Sequence, residues 1–352
     1  MKTKFNFFSL VALMSALLFL SACDKDKDPV KGDYQSGVLI VNEGNFSSSD
    51  GDITYYNASS GLQDQAIYNK VNGTFVGKVL QSVTIDGDVG FLVLNGDSKV
   101  EIVNSNTFKM VNTFTDQKLV APRYLEPING KVYISVWGPY DANYSLIDSY
   151  VLVVDPKTWQ VVTTIDTDEG TENLFYNGKY LFASNNLGSS TLAVIDPASN
   201  TLVDQIALDA SPAGIVADAN NKIWVITAPY GENGKLFRIN PTTFAIEQTI
   251  EVSGPAGGDL AVSPDKRSLF YSIGNDVYKM SIDAATAPAT PLVHSTEVVS
   301  LYALGVDPKT GDIYVGDALN YATAGFVYVY NPDGSFKVKL NAGIDPGQFI
   351  FR

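Results

Sequence analysis

The stretch "VVDPKTWQVVTTI" (153–165) indicates two short strands joined by a turn. β-branched residues fill both arms, and the pair Asp155-Pro156 between them is typical of a turn, because Pro lacks a backbone donor and fixes its own φ angle. The same hairpin recurs as "VIDPASNTLVDQI" (194–206) and as "RINPTTFAIEQTI" (238–250). A hairpin repeated at a near-constant spacing predicts a repeat architecture.

The repeat unit is marked by an Asp or Asn that follows a β-branched strand and opens the turn. Successive anchors lie between 41 and 51 residues apart, and seven occur: Asn57, Asn104, Asp155, Asp196, Asn240, Asp283 and Asn331. Each unit divides into four short segments of period-two alternation, and no long segment of helical period follows the first 36 residues. The sequence therefore predicts an all-β fold, a seven-bladed β-propeller with four strands in each blade.

The two ends of the chain predict how the ring closes. Units three to seven begin with an inner-strand segment, whereas unit one opens directly on "GVLIVNEG" (37–44), which resembles a second strand. The missing segment matches "IDPGQFIFR" (344–352) at the other end of the chain. We expect this last strand to complete blade one, which removes both exposed sheet edges and makes residues 37–352 one propeller domain.

The first 22 residues have the pattern of a secretory signal. A basic start at Lys2 and Lys4 precedes an apolar run that ends in small residues. A membrane-spanning anchor is the alternative, because the apolar run approaches the roughly 20 residues that cross a bilayer. The ending "LSAC" (20–23) favours the signal, since it resembles the bacterial lipobox, in which the Cys is lipidated and becomes the mature N-terminus.

Residues 23–36 form a charged linker, which we expect to be an acidic tether behind a lipidated Cys23. Its acidic start resembles the surface-export signal of Bacteroidetes lipoproteins. The expected location is therefore the outer membrane, with the protein lipid-anchored and facing the cell exterior. Contact with the membrane is expected through the lipid alone.

The composition excludes several classes of function. Without Lys2 and Lys4 the chain keeps 22 of its 24 basic residues against 38 acidic ones, a net charge near −16, so nucleic acids and anionic lipids are disfavoured partners. The single Cys and single His, His294, leave no disulfide, no His-rich metal site and no Ser-His-Asp triad. The acidic run "IDTDEGTEN" (165–173) lacks EF-hand spacing and leaves only a weak Ca²⁺ site as an alternative. No cofactor and no catalytic residues are expected.

The loops between the second and third strands of the blades are the first candidate site. They are tight turns in blades two and six but long in blades one, three, five and seven, and extra loop length on a rigid scaffold is typical of binding. Their aromatic rings and amides suit a neutral, polar, ring-containing ligand such as a sugar or a corrinoid. The candidate residues are Asn42, Asn45, Phe46, Trp137, Tyr140, Tyr144, Asn185, Asn186, Tyr230, Asn233, Asn320 and Tyr321. The alternative is that these residues form turns and pack between blades.

A second candidate ring consists of residues at the start of the inner strands, at the mouth of the central channel. Its members in register are Ser82, Tyr124, Asn173, Gly214, Asp259, Tyr302 and Gln348, with Gln81, Arg123 and Glu172 beside them. The alternative is that they hydrogen-bond one another and channel water.

Several segments resemble those of a known family. With the lipobox and the acidic tether, "VLIVNEGNF", "VIDPASNTLVDQI" and the closing "DPGQFIF" resemble the YncE-like, surface-layer-type β-propeller lipoproteins of Bacteroidetes, the DUF5074 group. Within that group the chain is similar to the BtuG-type proteins, which capture vitamin B12. The resemblance implies capture of a corrinoid on one propeller face for a TonB-dependent outer-membrane transporter. The alternatives are a glycan-binding or protein-interaction lipoprotein of a polysaccharide uptake system, and a propeller lyase or lactonase.

Overall fold

The computed structural model describes residues 32–48, 50–143 and 145–352. Its strands form seven four-stranded antiparallel sheets, and each sheet is one blade of a propeller. Within the described residues a single short helix, α1 (Ile67–Asn72), links blade one to blade two. The predicted all-β, seven-bladed fold is confirmed.

Each blade runs from an innermost strand at the channel to an outermost strand at the surface. In that order, blade one contains β28 (Pro346–Phe351), β1 (Val38–Asn42), β2 (Asp52–Asn57) and β3 (Leu62–Asp64). Blade two contains β4 (Leu80–Asp86), β5 (Val89–Leu94), β6 (Lys99–Asn104) and β7 (Met110–Phe114). Blade three contains β8 (Pro122–Ile128), β9 (Lys131–Val136), β10 (Tyr150–Asp155) and β11 (Gln160–Asp166). Blade four contains β12 (Thr171–Tyr176), β13 (Leu181–Asn185), β14 (Thr191–Asp196) and β15 (Thr201–Ala207).

The remaining three blades follow the same order. Blade five contains β16 (Pro212–Ala217), β17 (Ile223–Thr227), β18 (Lys235–Ile239) and β19 (Ile246–Glu251). Blade six contains β20 (Ala256–Val262), β21 (Ser268–Ile273), β22 (Asp276–Ser281) and the two-residue β23 (Val293–His294). Blade seven contains β24 (Leu301–Val306), β25 (Ile313–Asp317), β26 (Ala324–Tyr330) and β27 (Phe336–Ile344). The seven innermost strands contact one another in sequence and form a closed ring around the channel.

The two ends of the chain meet in blade one, as predicted. β28 pairs antiparallel with β1, so that Val38 lies opposite Phe351 and Ile40 opposite Phe349. The rings of Phe349 and Phe351 pack against Tyr314 of blade seven, with ring centroids 5.6 and 5.2 Å apart. This packing joins the last blade to the first through apolar surface as well as through strand pairing.

The core lies between neighbouring blades. The middle strands are buried on both faces, which explains their nearly continuous apolar sequences, such as "VLIVN" in β1 and "LFASN" in β13. The outermost strands alternate between exposed and half-buried residues because only one of their faces meets another blade. The apolar clusters accordingly combine side chains of two adjacent blades.

The repeated hairpin has a local structural cause. The Asp155 carboxylate accepts a hydrogen bond from the backbone N–H of Lys157 at 2.8 Å, which is the side-chain turn that Asp and Asn favour. Counted from the Asp or Asn that opens the turn, the fifth residue takes a left-handed conformation, with φ of 56° at Trp159, 55° at Asn200 and 59° at Phe244. The third-to-fourth-strand turn therefore serves the fold.

Candidate functional site

One face of the propeller, termed the cavity face, carries the loops between second and third strands and the links from each blade to the next. The channel opens on this face into a cavity of about 330 Å³. Its lining contains residues of all seven blades: Glu43, Gln81, Arg123, Tyr124, Glu172, Asn173, Asn186, Ala213, Gly257, Gly258, Asp259, Ser272, Leu301, Tyr302 and Gly347.

An ion pair between blades three and four forms one wall of the cavity. Arg123 and Glu172 are the second residues of the adjacent inner strands β8 and β12. The Arg123 Nε donates to both Glu172 carboxylate oxygens, at 3.0 and 2.9 Å, and Nη2 donates to one of them at 2.8 Å. The guanidinium also lies 3.9 Å from the ring centre of Trp137, from the long loop of blade three. Stacking and the bidentate pair fix its orientation.

The surroundings of Arg123 favour its ionised state. Burial lowers the pKa of Arg123, but the charge and hydrogen bonds of Glu172 outweigh it, so that the pKa is raised overall. Both side chains are largely buried, 13% and 7% exposed. Arg123 is therefore a fixed cation whose charge is already balanced by Glu172.

A protonatable carboxyl group lies across the cavity. Burial raises the pKa of Glu43 to about 8, against the lowering effects of Arg123 and of a hydrogen bond from the Tyr302 hydroxyl. Burial and the nearby Glu43 raise the pKa of Tyr302 as well, so its phenol stays neutral. The Tyr302 ring makes an edge contact with Tyr321, whose hydroxyl lies 2.7 Å from Ser300 Oγ.

Other polar groups of the inner ring bind the next blade instead of facing only the channel. Asp259 accepts a hydrogen bond from the backbone N–H of Leu304 at 2.7 Å, and burial raises its pKa to about 6. Gln348 Oε1 accepts from the N–H of Val83 at 2.8 Å. These contacts join adjacent inner strands, which is the role that the sequence left open as the alternative for this ring.

The structure brings eight of the sequence-predicted residues together in the cavity lining: Gln81, Arg123, Tyr124, Glu172, Asn173, Asn186, Asp259 and Tyr302. Sequence reasoning did not propose Glu43, although it lies in the blade-one loop between two candidates. The signal that marks it is a carboxylate directly after the apolar strand "VLIVN". Gly257 and Gly258, which line the wall across from Arg123 and Glu172, have no comparable signal in the sequence.

Two predicted asparagines lie inside the sheets. The Asn42 amide donates to Thr54 Oγ1 at 3.1 Å and accepts from the N–H of Gly343 at 2.8 Å. The fully buried Asn185 donates to Thr191 Oγ1 at 3.0 Å. Both hold strands β1 and β13 to their surroundings and do not line the cavity.

Three further asparagines hydrogen-bond within their own blades. The Asn45 and Asn320 side chains accept from backbone N–H groups of their own loops, and Asn233 donates to Glu251 at 2.8 Å. Tyr144 and Cys23 lie outside the described residues.

The rim of the cavity face carries exposed apolar side chains, which together are termed the apolar rim. The fully exposed Tyr230 and the three-quarters exposed Phe46 are its most accessible rings, and Tyr140 and Tyr321 are about half exposed. Three aliphatic residues on loops of the same face extend it: Ile147, Leu187 and Val299. The rim thus surrounds a polar cavity with apolar surface.

The part of the chain that the structure describes offers no metal centre. It contains no group of three or more His, Cys, Asp or Glu side chains arranged to hold a metal ion. Asp168, from the acidic run, accepts hydrogen bonds from Thr191 and Ser189. Within the same described residues, no helix is long and apolar enough to cross a membrane.

The closed ring of four-stranded sheets and the cavity at its mouth define a seven-bladed β-propeller protein. The chain belongs to the family described as a domain of unknown function, DUF5074, whose model matches residues 36–340. No curated protein matches it.

Several solved structures share the fold. A quinonprotein alcohol dehydrogenase-like protein from Bacteroides thetaiotaomicron superposes with a TM-score of 0.69 at 15% identity, covering 90% of this chain and 78% of that one. Hydrazine synthase from Kuenenia stuttgartiensis gives 0.62 at 16% identity, covering 78% and 91%. A chain of a mitotic checkpoint complex gives 0.59 at 13% identity, covering 90% of each. At these identities the likeness concerns the fold alone.

Proposed function

We propose that this protein binds a small molecule on its cavity face and performs no chemistry on it. The observation that carries the proposal is the combination of an apolar rim with a polar cavity at its centre. Exposed rings such as Tyr230 and Phe46 serve no packing purpose in the free protein. They provide rigid apolar contact area at little cost in conformational entropy.

The proposed ligand is a corrinoid, captured for a TonB-dependent outer-membrane transporter. A corrin ring is wide and amphipathic, with polar amides at its edge. Lying across the rim, it would contact Phe46, Tyr140, Tyr230 and Tyr321 and direct one polar group into the cavity. Membership of the DUF5074 family and the resemblance of segments such as "VLIVNEGNF" to BtuG-type proteins support this choice.

The entry of the chain into the propeller is compatible with a lipid anchor. Tyr34 donates its backbone N–H to the Asn106 carbonyl at 3.1 Å, in the turn between β6 and β7. That turn lies on the face opposite the cavity. A lipid on Cys23, which precedes Tyr34 in the chain, would leave the cavity face free for ligand. The proposed location is accordingly the outer surface of the outer membrane.

Titration calorimetry of the purified full chain with cyanocobalamin and with cobinamide tests this function. We expect heat that saturates at one ligand per chain, and at least about tenfold weaker binding by a Tyr230→Ser, Phe46→Ser double variant. Val203→Ser is the matched control, because Val203 is an exposed apolar residue on the outermost strand of blade four. Folded protein that gives no heat with either corrinoid would refute the proposal.

A glycan is the second candidate ligand. The cavity, at about 330 Å³, has room for one sugar ring, and its ionic and amide groups can hydrogen-bond hydroxyls. Binding of neutral oligosaccharides by a protein that gives no heat with corrinoids would favour this candidate.

A further inference from the structure

Three amide side chains in the cavity lining have unused hydrogen-bonding groups. Among the described residues no partner exists for the side-chain amides of Gln81, Asn173 and Asn186, although each lines the cavity. Gln81 is largely buried as a residue, but its amide is not among the fully buried side-chain atoms that lack a partner, so the amide is open to the cavity. Free donors and acceptors in a cavity can bind a ligand, which makes these groups candidate ligand contacts.

The charges of the cavity disfavour an anion. An anion entering it would approach Arg123, but the charge of that residue is balanced by Glu172 through three hydrogen bonds of 2.8–3.0 Å. It would also meet the carboxyl groups of Glu43 and Asp259. A neutral group avoids this repulsion and can still donate to and accept from the amides.

The opposite wall sets the size of the group. Gly257, Gly258, Ala213 and Gly347 leave space where larger side chains would fill it. At Gly258 an added Cβ would meet only Ala213, at an ordinary 3.8 Å. A cavity of about 330 Å³ is at the lower end of the range for small-molecule sites and accommodates about one ring.

From these observations we propose that the cavity is a subsite for one neutral, hydroxyl- or amide-bearing ring or side group, bound by Gln81, Asn173 and Asn186, and that it discriminates against anionic groups. This inference deepens the proposed function and rests on the same face of the propeller. The group could be an amide or sugar substituent of a corrinoid or the terminal unit of a glycan, which share this chemistry.

Two monosaccharides that differ in charge test the subsite. Saturation-transfer NMR on the full chain would compare N-acetylglucosamine, which is neutral, with glucuronate, which is anionic. We expect N-acetylglucosamine to bind at least about tenfold more tightly than glucuronate. Equal or stronger binding of glucuronate, or no binding of N-acetylglucosamine, would overturn the proposal.

Two variants locate the binding. Gly258→Phe should fill the cavity without a backbone clash and abolish the N-acetylglucosamine signal, and Gln81→Leu should weaken it about threefold to tenfold. Val203→Phe, outside the cavity, is the control and should leave the signal unchanged. Unchanged melting temperatures show that the variants are folded. A signal that survives Gly258→Phe would place the sugar elsewhere and refute the subsite.

A competition experiment separates this inference from the proposed function. Displacement of N-acetylglucosamine by cyanocobalamin, or by a neutral oligosaccharide, identifies which ligand supplies the group and supports the subsite. If cyanocobalamin binds but the protein does not bind the neutral sugar, corrinoid capture stands and the subsite is wrong. If only the neutral sugar binds, the subsite stands and corrinoid capture is wrong.

Discussion

Gln348 Oε1 accepts a hydrogen bond from the backbone N–H of Val83 at 2.8 Å, although 265 residues separate the two in the sequence. Gln348 belongs to β28, the last strand, and Val83 to β4 of the next blade. β28 therefore completes blade one on one side and is bound to blade two on the other. Closure of the ring depends on the final residues of the chain.

Deletion of residues 346–352 should abolish cooperative folding. The deletion exposes the edge of β1 and the apolar surface around Tyr314 that Phe349 and Phe351 cover. Circular dichroism should show no sharp thermal transition. As a control, the same residues moved ahead of Val38 through a short turn restore the four strands of blade one and should restore the transition. A truncated protein with the wild-type melting temperature would contradict this closure.

The fold could be predicted because it depends on patterns that the sequence repeats. Asp155 and its equivalents mark each hairpin, and "IDPGQFIFR" fits the one inner strand that unit one lacks. The direction of a side chain is harder to predict, because a shift of one residue along a strand moves the side chain to the other face of the sheet. Asn42 turns into the sheet and its neighbour Glu43 into the cavity. The periodicity alone does not show where a strand ends and this alternation breaks.

The long-range contacts of the site also escape the sequence. Arg123 and Glu172 are 49 residues apart, and only the ring arrangement of β8 and β12 makes them partners. The open glycine wall at Gly257 and Gly258 likewise depends on the neighbouring blades. Local pattern therefore predicts the blades, whereas the cavity arises from how the blades are assembled.

Replacing Arg123 by Met should destabilise the protein by about 3–5 kcal/mol, because Glu172 is left as a buried charge without its partner. Urea unfolding measures this change. An Arg123→Met, Glu172→Met double variant should recover most of the stability, since no unpaired charge remains. Its affinity for cyanocobalamin should stay reduced, because the polar wall of the cavity is lost. Equal stability of the single and double variants would contradict this account.

Replacing Glu43 by Gln should change how stability depends on pH. Burial raises the folded-state pKa of Glu43 to about 8, above its ordinary value of 4.5. Between these values the folded state holds a proton that the unfolded state has released, so the stability contributed by Glu43 is full below pH 4.5 and is lost as pH rises through 8. Gln carries no titratable proton. The free energy of unfolding of the variant, relative to that of the wild type, should therefore rise by up to about 1.4 kcal/mol per pH unit between about pH 5 and pH 8.

Asp259→Asn is the matched control for this pH effect. Burial raises the pKa of Asp259 to about 6, from 3.8. The difference in free energy of unfolding between Asp259→Asn and the wild type should therefore develop between about pH 4 and pH 6 and then stay constant. Urea unfolding of both variants over about pH 4–9 separates the two windows. A Glu43→Gln variant whose stability follows the wild type at every pH would show that Glu43 ionises normally.

Asn185 and Asn186 are neighbours in the chain whose substitutions should affect different properties, stability for Asn185 and ligand affinity for Asn186. Asn185 is fully buried and hydrogen-bonds Thr171 and Thr191, so Asn185→Ala leaves these groups without a partner. It should lower the free energy of unfolding by about 1–3 kcal/mol. Asn186 lines the cavity, and its side chain has no partner among the described residues.

Asn186→Ala should therefore change stability by less than about 0.5 kcal/mol and weaken cyanocobalamin binding about threefold to tenfold. Urea unfolding and calorimetry on both variants provide the comparison. Because the two alanines differ by one position on one strand end, a general disturbance of the blade-four loop would affect both properties in both proteins. Separate effects, stability for Asn185 and affinity for Asn186, require that the strand ends where the cavity begins.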